Sequence, residues 1–158
     1  MRKLLYGILA MLLIGSFAAL KKEKLNVIDL ENKIISFEKV NHELTDSLND
    51  KHIKEITQLA EEIYGVEAEF LEAIERLETG NYTSTLYKAQ NNTWGAKGEQ
   101  GYKYFDSHEQ STLELARCLK MYYFDEGLVT ITQIGEKYCP EDPYWSYKVH
   151  DIYLELMK

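Results

Sequence analysis

VEAEFLEAIERLE, residues 66–78, decides how this chain is read. Phe70, Leu71, Ile74 and Leu77 recur at helical spacing and form one apolar stripe. Extending that stripe by one step lands on Glu78. Glu69, Glu72 and Glu75 fall on the opposite, polar face beside Arg76. Thr79-Gly80 follows, and Gly80 is the expected helix stop. The pattern therefore puts one carboxyl at the end of a core-facing stripe, next to a loop. A carboxyl half-buried against apolar groups has its charged form disfavoured and its pKa raised. That keeps a general acid protonated near neutral pH. On the helix pattern alone, an end-of-helix Glu that rotates out to water is the plainer reading.

The 158 residues leave room for one ordinary domain plus an appendage. Net charge is −8, and outside the N-terminal region no Lys/Arg cluster is interleaved with aromatics. Both facts argue against nucleic-acid binding. Twelve Tyr stand against five Phe and two Trp. Tyr offers an apolar face with a polar rim, which suits core edges and sugar-binding clefts alike. Cys118 and Cys139 fit no zinc or redox spacing. Two free buried thiols are favoured over a disulfide, which only an exported domain would form. His42, His52, His108 and His150 are scattered, so no metal site is expected.

The N-terminus is basic, then apolar: Arg2 and Lys3 precede LLYGILAMLLIGSFAAL, residues 4–20, and Lys21, Lys22 and Lys24 follow. Residues 1–21 read as a transmembrane anchor or a signal peptide, with the bulk of the chain outside the cytoplasm. Residues 22–50 carry a heptad seam. Val27, Ile34, Asn41 and Leu48 fall at a, and Leu30, Phe37 and Leu44 at d. A single Asn at an a position fixes register and favours two strands. The seam reads either as a coiled-coil stalk that forms a homodimer through residues 27–48, or as one amphipathic helix packed on the domain.

Residues 51–158 form the domain, mainly α with at most a tiny β element. Ile53, Ile56, Leu59, Ala60 and Ile63 mark a helix ending near Gly65. Residues 80–101 read as a polar loop region, and 102–105 as a short strand. Ser107 with Gln110 makes a capping box opening a helix with Leu113, Ala116, Leu119 and Tyr123 inward. Ile131 and Ile134 belong to another short helix. Asp142 then Pro143 reads as N-cap and first residue of the last helix, whose apolar face carries Trp145, Val149, Ile152, Tyr153 and Leu156.

The loop after Glu78 has the residues of a ligand site. Trp94 offers a face for a sugar ring, Asn91 and Asn92 offer paired donors and acceptors, and Gly95 lets the backbone come close. An ordinary turn around a buried Trp fits as well.

Several pieces recur in a fixed order: Glu78-Thr79-Gly80, Asn91-Asn92-Thr93-Trp94-Gly95-Ala96-Lys97-Gly98, Tyr104-Phe105-Asp106-Ser107, Ile134-Gly135-Glu136-Lys137-Tyr138 and Pro143-Tyr144-Trp145. This set resembles the bacterial glucosaminidase domain, glycoside hydrolase family 73 of the lysozyme superfamily, across residues 55–158. The resemblance implies a lysozyme-like helical fold acting on peptidoglycan, without a cofactor. It implies Glu78 as general acid and Tyr138 as the cleft aromatic. Asn91, Asn92, Trp94, Gly95 and Tyr104 would line the substrate groove. Two features depart from the pattern. Where that family typically carries a Tyr-Ala-Thr-like segment before the final helix, this chain has Tyr138-Cys139-Pro140, with Glu141 and Asp142 inserted before Pro143. The lobe after the Asn-Asn loop is short, and Glu99 is the one acid left there as a candidate second carboxylate. The implied reaction is cleavage of the GlcNAc-β-1,4-MurNAc bond, with a lytic transglycosylase or muramidase as alternatives. A membrane-tethered wall-binding protein without turnover is the reading from another class.

Overall fold

The computed structural model describes the backbone of residues 2–158 and the side chains of Lys24 and of residues 28–158. The chain divides into two compact units, Met1–Leu48 and Asn49–Lys158. Helix α1 (Arg2–Tyr64) contributes to both.

In the first unit, Leu30, Ile34, Phe37, Leu44 and Leu48 of the heptad seam are all exposed. Polar side chains beside them pair one turn apart, Lys33 with Asp29 at 2.8 Å and His42 with Asp46 at 2.7 Å. Val27 and the apolar run 4–20 lie outside the residues whose side chains are described. The expected membrane segment therefore falls outside this description. Among the described residues, no helix is long and apolar enough to cross a membrane.

The second unit begins with the last turns of α1. Ile53, Ile56, Thr57 and Ala60 are buried, a stripe at i, i+3, i+4 and i+7. Leu59 and Ile63, expected inward, are exposed because they fall beside that stripe. Gly65 turns the chain with a positive φ of 68°.

Helix α2 (Ala68–Thr79) is the centre of the domain. Its Phe70, Leu71, Ala73 and Ile74 are buried, and each large apolar side chain contributes about 1.5–3 kcal/mol by leaving water. It ends as expected at Gly80, with the N–H groups of Gly80 and Asn81 returning to the carbonyls of Leu77 and Arg76. The polar region that follows contains a helix the periodicity does not reveal, α3 (Thr85–Gln90). Ser84 caps it, accepting the Tyr87 N–H.

Strands β1 (Lys97–Gly98) and β2 (Gly101–Tyr102) form an antiparallel hairpin, with Lys97 opposite Tyr102. The strand therefore sits earlier than 102–105 and is very short. Helix α4 (His108–Tyr122) buries Leu115, Ala116 and Leu119. Ser107 accepts the Gln110 N–H as expected, but Gln110 Oε1 accepts the N–H of Asp106 instead of Ser107. The box is thus half made. A complete one opens α5 (Ile131–Tyr138), where Thr130 and Gln133 each accept the other's backbone N–H.

Helix α6 (Trp145–Leu156) starts two residues later than Asp142-Pro143 suggests. Asp142 makes a turn instead: its Oδ1 accepts the Tyr144 N–H, and its Oδ2 pairs with Lys148. Helices α5 and α6 pack closely at Gly135, where an added Cβ would lie 2.1 Å from Ser146 Oγ. Ile134, Trp145 and Val149 complete a core with α2, Leu115 and Leu119. The two cysteines are free and half-buried.

Candidate active site

Three elements meet at the end of α2. Glu78 is half-buried there. The indole N–H of Trp145, at the first turn of α6, donates to Glu78 Oε1 at 2.9 Å. On the other side lies Gly95, whose φ is +71° and whose added Cβ would stand 3.5 Å from Glu78 Oε2. The backbone thus approaches one carboxyl oxygen while the other is held by Trp145. A larger residue at 95 would also face the left-handed strain that glycine avoids.

Tyr138, from the end of α5, stacks on Trp145 with ring centroids 4.8 Å apart. Its hydroxyl donates to the backbone carbonyl of Trp94 at 3.3 Å. The α5 end and the α6 start therefore brace the Asn-Asn loop and Glu78 together.

Burial pushes the Glu78 carboxyl above the ordinary carboxylate range, and the Trp145 N–H pulls it part of the way back. Burial, with the nearby Glu78 charge second, pushes the Tyr138 phenol well above its usual range. Tyr138 is accordingly a neutral hydroxyl and ring, able to orient but unsuited to act as a base. With Oε1 accepting from Trp145, Oε2 is the oxygen able to carry and release a proton. The arrangement favours the protonated form of one carboxyl beside a loop of close-approaching backbone.

The remaining candidates are more dispersed. Asn92 is fully buried. Its Nδ2 donates to the carbonyls of Ala96 and Lys103, each at 2.9 Å, and its Oδ1 accepts the Ala96 N–H. Asn92 thus spends its amide on holding the loop's shape. Asn91 ends α3 in the left-handed conformation and donates to the carbonyl of Phe105 at 2.9 Å. Trp94 is half-buried against the core, its Nε1 donating to the Ser111 carbonyl. Glu99 lies at the exposed turn of the β1–β2 hairpin, and Tyr104 is exposed just beyond it. Among the described residues, no hydrogen bond joins either to the Glu78 cluster.

Sequence reasoning placed Trp145 on the core face of α6 and missed it as Glu78's partner. A signal was available: a buried indole N–H needs an acceptor, and the chain has only two Trp. A second miss is Glu75, assigned to the polar face but buried to 2% exposure. Thr112 Oγ1 donates to it at 2.6 Å. Helix α2 packs against both α4 and α6, so it buries a wider arc than one stripe.

No family model matches this chain, and no curated protein matches it. A solved structure does: a crystal structure of S. aureus autolysin E in complex with the muropeptide NAM-L-ALA-D-iGLU. The TM-score is 0.53 at 19% sequence identity, over 64% of this chain and 57% of that chain. The chain shares the fold of autolysin E. The resemblance read from the ordered motifs is matched at the level of fold. The chain spans little more than half the length of that neighbour. A cavity of about 590 Å3 lies between α5 and α6, lined in part by Ile131, Cys139, Pro143 and His150. Glu78 does not line it.

Proposed function

We propose that this protein is a peptidoglycan-cleaving glycosidase in which Glu78 is the general acid and then the base. The observation that carries the reading is the Glu78 carboxyl itself. It is half-buried, held by Trp145, flanked by Gly95 and raised above the usual carboxylate range by burial. A fold shared with an autolysin seen bound to a muropeptide supports peptidoglycan as the ligand. The specific bond proposed is GlcNAc-β-1,4-MurNAc. Most glycosidases use two carboxyls, about 5–5.5 Å apart for retention and further apart for inversion. Glu75, buried one turn away, is turned into its own hydrogen bonds with α4. A one-carboxylate site fits substrate assistance, in which the GlcNAc acetamido oxygen attacks C1 while Glu78 protonates the leaving oxygen. The same site fits a lytic transglycosylase, in which the muramic 6-hydroxyl is the nucleophile, or a muramidase.

Tyr138 and Trp145 act by orienting Glu78, and Asn92 by shaping the loop. Asn91, Trp94, Gly95 and Tyr104 are proposed to border the glycan groove. Residues 4–20 are proposed to tether the protein to a membrane of the cell envelope unless they are removed as a signal. The apolar seam of residues 27–48, exposed at Leu30, Ile34, Phe37, Leu44 and Leu48, is proposed to pair with a second copy. The test of function is mass spectrometry of the soluble products released from purified peptidoglycan by the full chain. Reducing-end GlcNAc supports the glucosaminidase. Reducing-end MurNAc means a muramidase, and anhydro-MurNAc a transglycosylase. No release by the folded protein favours a wall-binding role instead.

A further inference from the structure

Glu75 is the most deeply buried acid among the described residues, and the proposed reaction does not use it. Two hydroxyls lie near its carboxyl. Thr112 of α4 donates at 2.6 Å, and the Thr93 hydroxyl of the loop shares the same small cavity. Thr93 is itself clamped to α4, where Ser111 Oγ accepts its N–H and bonds its Oγ1, both at 3.0 Å. The next residue is Trp94, whose carbonyl takes the Tyr138 hydroxyl. Glu75 is thus tied to α4 at Thr112, next to the Ser111 that clamps Thr93, and Thr93 leads through Trp94 to Tyr138, which stacks on the indole that holds Glu78.

We propose that Glu75 is a positioning residue for the Glu78 site, its protonation state setting how firmly the loop 92–96 is held against α2 and α4. The inference deepens the glycosidase reading and rests on it for its functional meaning. Its physical content stands separately. A neutral Glu75 fits its buried surroundings; a carboxylate there carries a charge with no cationic partner. The groups facing it from each element are named readily. His52 comes from α1, Tyr82 from the turn before α3, Tyr87 from α3, and His108 from α4, all lining one small cavity with Glu75, Thr93 and Thr112. Glu72 on its own helix adds a repelling charge. The Tyr82 hydroxyl is buried with no partner in that cavity. His108 is occupied by the Tyr87 carbonyl at 3.1 Å, and its ring stacks on Tyr87. His52 lies 3.8 Å from Glu109. Burial, opposed by the two threonine hydroxyls, pushes Glu75 up to about 7. The lock therefore holds below neutrality and loosens above it.

Trp94 and Trp145 are the only two indoles and report on this region. The test is a pH titration of tryptophan emission from the full chain, free of substrate. A red shift as pH rises, with one midpoint near neutrality, is expected. It should vanish in Glu75→Gln and persist in Glu78→Gln. Thr112→Val removes one donor to the carboxylate and should move the midpoint up by about half to one pH unit. A wild-type protein with no transition overturns the proposal. So does a transition unchanged in Glu75→Gln, or a midpoint unmoved by Thr112→Val. If Glu75→Gln does not fold, the wild-type and Thr112→Val titrations still decide. Wall digestion across the same pH range supplies the functional arm: a fall in release that coincides with the emission midpoint should disappear in Glu75→Gln, leaving the alkaline limb set by Glu78. If no release occurs while the emission transition behaves as described, the glycosidase reading fails and the positioning of the loop by Glu75 survives.

Discussion

Glu75 and Glu78 sit one turn apart on α2, yet they occupy different chemical settings. Glu75 is enclosed among α1, α3, α4 and the Asn-Asn loop and answered by hydroxyls. Glu78 is half open, answered by one indole N–H, and left with a second oxygen facing Gly95. Both are pushed above the ordinary carboxylate range, and in both the first cause is burial. What separates them is access. A raised carboxyl sealed inside a fold can change shape or stability, whereas one partly open to solvent can also exchange its proton with a ligand.

The largest effect expected from this contrast concerns stability. The Glu75 carboxyl holds its proton in the folded state up to about pH 7, against an ordinary value of 4.5. The folded state thus binds more protons than the unfolded one between those values. Its contribution is fully present below about 4.5 and is lost as pH rises through about 7. The loss should be about 3 kcal/mol. Urea unfolding at pH 5 and pH 8 measures it, and Glu75→Gln should flatten the slope. An equal slope in that variant would mean that Glu75 is not the sealed acid described here.

Trp145→Phe sharpens the other side. It keeps an aromatic ring in the core but removes the N–H that favours ionised Glu78. The alkaline limb of the pH–rate profile should move up by about one to two pH units. Stability should fall by about 1–3 kcal/mol. An unmoved limb would separate Trp145 from the acid. Gly95→Ala introduces a side chain at φ +71°, at a cost of about 1–2 kcal/mol. Its Cβ would only touch Glu78 Oε2, so calorimetry should show modest destabilisation and wall digestion a reduced rate. Thr130→Ala is the control, far from both carboxyls in sequence. Losing that cap should cost about 1 kcal/mol without altering either pH dependence.

The contrast also shows what a helical period can and cannot read. Phe70, Ile74 and Leu77 gave the direction of the core correctly, and Glu78 followed from them. Glu75 was placed with Glu69 and Glu72 because one stripe implies one neighbour. Helix α2 has several, and Ala68, Leu71, Glu75 and Thr79 form a second buried row. Only packing creates that row, so no period within α2 reports it. Asn92 shows a related limit. Its residue type suits a sugar, but the fold uses its amide to pin the loop. Helix α3 was hidden for a simpler reason: six residues with none buried leave no apolar stripe to find. The ordered motifs pointed to the fold more securely than any one of them pointed to a contact.

The most direct test of the central claim is release of muropeptides from purified peptidoglycan by the full chain and by Glu78→Gln, each with its melting temperature measured alongside. If Glu78 is the general acid, the variant melts as the wild type does and its rate falls by about 10²–10⁴-fold. Equal release by a folded Glu78→Gln would contradict the account.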